Sequence, residues 1–132
     1  MSKIFSRSLI IFLIYTIMSI SVCFGENLVF VDAEEDTGYY VDMDTINIES
    51  KNFINANIAI VKANSNRMYL YNVKINHKDN SYQINSSKIL EYDTKNLLES
   101  NDQRRPFRPY SPKSEMSELV NFILKGGDLV DR

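Results

Sequence analysis

Between Phe53 and Asn76 the chain alternates apolar and polar residues in two runs, and this double period of two leaves little choice but an antiparallel hairpin. Ile54, Ala56, Ile58 and Ile60 fall on one face of the first run, with Asn55, Asn57 and Ala59 opposite. In the second run Tyr69, Tyr71, Val73 and Ile75 line one face, and Asn72, Lys74 and Asn76 line the other. Successive side chains on a pleated strand point to opposite sides, so each run reads as a half-buried strand. Asn64-Ser65-Asn66 separates them with residues that suit a turn.

The flanking sequence extends the same pattern. Leu28-Val29-Phe30-Val31 is a short apolar run ending at Glu34-Glu35-Asp36, and Thr37-Gly38 reads as the turn before Tyr39-Tyr40-Val41. Asp42-Met43-Asp44 leads into Thr45-Ile46, read as a turn or a short helical corner. Beyond the turn at His77-Lys78-Asp79-Asn80, Tyr82-Gln83-Ile84 and Ile89-Leu90-Glu91-Tyr92 predict two more strands or one bent strand. Ser86-Ser87 marks the place for a bulge between them. Short turns between closely spaced strands favour an antiparallel meander over βαβ units. Residues 93–109 are polar and aperiodic, and are read as a connection.

One helix follows. Met116, Leu119, Val120, Ile123 and Leu124 recur at helical spacing, an apolar stripe about 100° wide. Ser111 before Pro112 suits an N-cap followed by proline at the first helical position, with Ser114 a second cap candidate. Glu115 and Glu118 lie at the positive end of the helix dipole, Lys125 lies in the last turn, and Gly126-Gly127 predicts the stop. The stripe needs an apolar face, and the sheet is the large one. The expected fold is therefore α+β, an antiparallel sheet of about five to six strands with one C-terminal α-helix packed on one face. One domain over residues 26–127 and a frayed tail at 128–132 complete that reading.

The first 25 residues predict export. Residues 1–7 carry Lys3 and Arg7 and no acid, the run from Leu9 to Phe24 is uncharged, and Gly25 precedes the polar start at Glu26. This is the order of a secretory signal, with cleavage after Gly25 and a cut after Ser21 as the alternative. At ~1.5 Å per residue the apolar run spans about 24 Å, short of a ~30 Å hydrocarbon core, which disfavours a retained anchor. A lipid-modified Cys23 is the other reading, and Val22 before it argues against that. The periplasm, the cell surface and the medium all remain open as the final address.

Composition narrows the function classes. The chain has 15 basic and 17 acidic residues, and the leader removes Lys3 and Arg7 but no acid. A mildly acidic remainder argues against nucleic acid as a partner, since general binding needs a basic face. A hydrophobic fraction of 44% excludes a mainly disordered chain. Cys23 is the one cysteine, so the exported domain forms no internal disulfide and relies on packing.

The stretch Gly38-Tyr39-Tyr40-Val41-Asp42-Met43-Asp44-Thr45-Ile46 resembles the Y-Y-(I/V)-D-x-x-(S/T)-I opening of the surface-adhesin protein E family. The later order is similar: an alternating strand, a Tyr-rich strand, Tyr82-Gln83-Ile84-Asn85, a Tyr92 segment, and Pro109-Tyr110-Ser111-Pro112 entering a short helix. The resemblance spans residues 28–124, and its motif residues Tyr39, Tyr40, Asp42 and Ile46 are mostly structural. It implies a small exported domain with a C-terminal helix on one side of an antiparallel sheet, in a family whose founding member binds host matrix and plasma proteins. Two departures stand out. The family's usual cysteines, in the strand near Ile84-Asn85-Ser86 and in the final helix, are absent. Phe30 and Phe107-Arg108 occupy the neighbourhoods of its usual tryptophans.

Catalytic patterns are wanting. His77 is the one imidazole and has no evident orienting partner, no G-x-S-x-G occurs, and the exported domain has no cysteine nucleophile. Asp32, Glu34, Glu35, Asp36, Asp42 and Asp44 lack the spacing of a calcium loop. No enzyme, metal or cofactor is expected. The best partner-binding candidate is Arg104, Arg105, Phe107 and Arg108, guanidiniums and an aromatic ring on a proline-stiffened segment. Its structural alternative anchors the helix to the sheet through Phe107 and Tyr110. The expected function is non-catalytic binding of a protein or glycan at the cell envelope, possible adhesion included. The alternative is a structural or accessory protein that self-associates, as a homodimer, or pairs with an envelope partner.

Overall fold

A computed structural model describes residues 27–130 of the chain. The expected export segment, 1–25, lies outside the described residues. The order is β1 (Leu28–Glu34), β2 (Thr37–Ile48), β3 (Phe53–Lys62), β4 (Arg67–Asn76), β5 (Ser81–Glu91), β6 (Leu97–Asn101), β7 (Arg108–Pro109) and one helix, α1 (Glu115–Val130). Every strand pair is antiparallel, the spatial order from β1 to β6 is the chain order, and β7 pairs with the far end of β5. Among the described residues the fold is α+β, a meandering antiparallel sheet with a single C-terminal helix.

The predicted hairpin is β3–β4, paired without interruption from Phe53↔Asn76 to Lys62↔Arg67. Its turn closes with Asn66 at φ 54°, a left-handed conformation that Asn tolerates better than most residues. The first turn sits at Glu35-Asp36 rather than Thr37-Gly38, with Glu35 at φ 57°. Gly38 lies inside β2, where a Cβ would stand 3.0 Å from the Tyr40 ring. The glycine there serves ring packing and leaves the turn to its neighbours.

Bulges shape the sheet. From Thr37↔Lys62 to Asp42↔Asn57, β2 runs in register with β3, and pairing resumes only at Asn47↔Asn55. Residues 43–46 thus oppose Ala56 alone, so the expected turn or corner at Thr45-Ile46 is an extended excursion of one strand. β5 is one continuous strand, and the bulge expected at Ser86-Ser87 falls on Asn85, between Asn72↔Ser86 and Val73↔Ile84. Part of the segment read as a connection forms β6 and β7 against β5. Pro106 and Pro109 lie along this outer edge, and proline withholds the N–H that a further strand would need.

The helix stripe is buried as its spacing requires. Leu119, Val120 and Ile123 are 1–2% exposed and join Val41, Ile54, Ala56, Ile58, Val73 and Ile75 in one cluster. Met116 and Leu124 pack against its rim. Ile84 of β5 and Leu124 of α1 both pack against this cluster, on the two elements that carry cysteines in the resembled family. Ser114 is the N-cap: its Oγ accepts the Ser117 N–H at 3.2 Å and donates to the Ser111 carbonyl at 2.7 Å. The predicted stop at Gly126-Gly127 is overturned, because α1 continues to Val130 and takes in the first residues of the expected tail. Gly126 is buried within the helix.

Both faces of β3 are buried at Ile58 and Ala59, although alternation alone predicts a half-buried strand. Ala59, Val61, Met68 and Leu90 form a second cluster on the face turned from the helix, with Leu28, Tyr40 and Leu70 packed against it. Tyr40 is the direct register partner of Ala59, as Leu70 is on the other side.

Candidate functional site

The β2 excursion opens the site. Where β2 leaves β3, the Asn57 N–H loses its strand partner and donates instead to Thr45 Oγ1 at 2.8 Å. The same hydroxyl donates to the Asp42 carbonyl at 2.8 Å, so one side chain bridges both strands across the gap. Asp42 Oδ1 accepts the Asp44 N–H at 3.2 Å, and Asp44 in turn accepts from Asn27 Nδ2. On the helix side the displaced residues Met43 and Ile46 pack against the main core.

Across the face turned from the helix runs a row of side chains in direct register: Leu28 opposite Asp42, Asp42 opposite Asn57, Asn57 opposite Asn72, and Asn72 opposite Ser86. Its two asparagines form a ladder with the bulged Asn85 beside it. Asn85 Nδ2 donates to Asn72 Oδ1 at 3.0 Å, and Asn72 Nδ2 donates to Asn57 Oδ1 at 2.7 Å. Asn85 Oδ1 is buried and has no hydrogen-bond partner among the described residues. Above this row the ladder bounds a recess of about 280 Å³ whose walls include Leu28, Asp42, Leu70, Ser86 and Lys88. Asp42 is 8% exposed, a carboxylate held on the wall of the recess.

The motif residues separate by role. Tyr39 and Ile46 pack against the helix-side core, while Tyr40 joins the opposite cluster and meets Phe30 edge-on, with centroids 5.7 Å apart. Burial, with the charges of Glu115, Glu34 and Asp32, raises the Tyr39 hydroxyl pKa. Glu34, at the end of β1, meets Glu115 at the start of α1. The hydrogen bond between them, then the Glu115 charge, raises Glu34, whereas Glu115 is lowered first by the same bond and then by its backbone bond.

The arginine segment does not converge into one cluster. Arg104 lies near enough to Glu49 to help lower its carboxyl pKa, an effect led by hydrogen bonds from Asn55 and Lys74. Arg105 acts on Tyr71, where its charge opposes a rise caused by burial. Asn55 and Tyr71 belong to opposite faces of the sheet, so the two guanidiniums diverge. The Arg105 N–H donates to the Ile84 carbonyl at 2.9 Å, and Arg108 pairs with Tyr82 in β7. Phe107, 43% exposed, tilts onto Phe53 with centroids 6.2 Å apart, and Lys74 lies 4.9 Å from the Phe53 ring centre. This segment is foremost the outer edge of the sheet, with Tyr110 bonded to Asn80 at its end.

His77 Nε2 donates to the Lys51 carbonyl at 3.0 Å on the surface. Among the described residues, no three of His, Cys, Asp and Glu gather as metal ligands. The recess escaped sequence reading because its members come from β1, β2, β3, β4 and β5, and no local spacing links them. Its visible trace is the repeated placement of Asn opposite apolar residues in adjacent strands. Comparison of the chain with protein-family models, known proteins and solved structures finds no match in any of the three.

Proposed function

We propose that the chain is an exported, non-catalytic binding domain of the cell envelope, similar in kind to the surface-adhesin protein E family. The recess on the open face of the sheet is the observation that carries this reading. Its polar groups are fixed by a cross-strand hydrogen-bond ladder, and binding sites work by such preorganisation.

The test combines address and binding. Cell fractionation with mass spectrometry of the N-terminus should find the chain outside the cytosol and starting at Glu26. The same protein, immobilised, should bind extracellular-matrix or plasma glycoproteins in a saturable way. A cytosolic chain with its leader intact, or one that ignores those proteins, overturns the reading.

A second reading rests on the β6 edge of the sheet. Leu97 and Leu98 of β6 are 57% and 46% exposed, and an apolar edge strand is a template for pairing. On that reading the chain is an accessory subunit that self-associates. Light scattering separates the two, because a monodisperse monomer at micromolar concentration excludes self-assembly through β6.

A further inference from the structure

We propose that the recess binds one neutral, hydroxyl-rich ring, a single sugar unit of a glycan. This inference rests on the binding-domain reading and names what the open face takes.

Size sets the first bound. A recess of about 280 Å³ lies at the small end of ligand sites, and admits one ring rather than an extended chain. It opens on the middle of the sheet and not at a strand edge, which disfavours an added peptide strand.

Hydrogen-bond capacity sets the second. Asp42 and Asn57 are direct register partners, so their side chains stand side by side on one face. The Asp42 carboxylate accepts the Asp44 N–H through Oδ1, and no described residue donates to Oδ2. At 8% exposure this carboxylate is largely shielded from bulk water, which strengthens a hydrogen bond made to it from the recess. Asn57 spends its Oδ1 on Asn72, and among the described residues its Nδ2 donors have no acceptor. An open acceptor beside an open donor matches a sugar hydroxyl, which gives one hydrogen bond and receives another. Ser86 continues the polar row on the far side of Asn72. The aliphatic walls Leu28 and Leu70 face the C–H side of such a ring, which water solvates poorly.

The experiment uses the full-length chain, expressed with a 15N label and studied in the form the host releases. Glucose, galactose, mannose and N-acetylglucosamine are titrated separately into the millimolar range, with sodium glutamate as a charged control. At least one sugar should give saturable shifts of the Asn57 and Asn72 side-chain amide signals, and glutamate none. Asp42→Asn keeps the bond to the Asp44 N–H but loses the charge, and should weaken that sugar about tenfold. Ser86→Leu, which fills the recess without touching Asp42, should abolish the shifts in a folded protein. Absence of saturable shifts with all four sugars, shifts confined to other surfaces, or equal affinity in both variants overturns the proposal. If the sugars fail while immobilised chain still binds matrix glycoproteins, this inference falls and the binding-domain reading stands. Failure of both removes both.

Discussion

The backbone of Gly126 lies so close to Met43 that a Cβ on the glycine would stand 2.9 Å from the methionine Cε, with Ile46 Cδ1 at 3.5 Å. The residue that looked like a helix stop is thus a docking surface for the β2 excursion. Gly126→Ala gains about 0.5–1 kcal/mol of helix propensity, and only the flexible tip of Met43 must yield. The net change should stay within about 1 kcal/mol by urea unfolding, whereas Gly126→Leu should lose about 1–3 kcal/mol through overpacking. Equal stability for both variants would show that Met43 does not pack there.

Leu119 is 1% exposed at the centre of the helix–sheet contact. Truncating it leaves a cavity on which neighbours from two layers cannot fully collapse. Leu119→Ala should therefore lose about 2–5 kcal/mol in denaturant unfolding. A loss below about half a kcal/mol would mean the helix is not docked.

The asparagine ladder predicts unequal effects along its length. Asn72 is the middle rung, so Asn72→Leu strands the amides of Asn57 and Asn85 together, and should lose about 1–3 kcal/mol. Thr45→Val removes the hydroxyl that bridges β2 and β3 and should lose a similar amount, while Thr45→Ser retains it. Thermal melts of the three variants check the order.

Glu34 and Glu115 make stability depend on pH in opposite senses. The folded Glu34 holds its proton above the unfolded value of 4.5, so its contribution is present below 4.5 and is lost as pH rises through the folded value. Glu115 is shifted down, so its contribution is present above 4.5 and is lost as pH falls through its folded value. Glu34→Gln keeps a donor toward Glu115 and removes the charge. It should raise Tm at neutral pH, and the gain should vanish near pH 4.5 and below. A gain of the same size at both pH values would exclude the carboxyl pair as its cause.

Alternation between Phe53 and Asn76 and the stripe from Met116 to Leu124 were legible because each is a local period, and a local period states which side of an element is apolar. The Asn66 turn and the Ser114 cap candidate were legible for a related reason, since a residue's own side chain meets the backbone need within a few positions. Bulges are different. Whether residues 43–46 turn or stay extended depends on the bridge from Thr45 to Asn57 and on room for Met43 beside Gly126, neither of which is near in sequence. β6 went unseen because Leu97 and Leu98 sit at an exposed edge, where no burial imposes a pattern. Arg104 and Arg105 look like one charged group in sequence, yet one acts on Glu49 and the other on Tyr71.

By itself the chain determined the β3–β4 hairpin, the amphipathic helix and the face that helix would bury, because those follow from periodicity and the aversion of apolar surface to water. Only the tertiary structure decided that four strands would set Asp42, Asn57, Asn72 and Ser86 in one row beside an apolar wall. Register between distant segments is chosen by the packing of the whole sheet, and a site assembled across it has no linear signature.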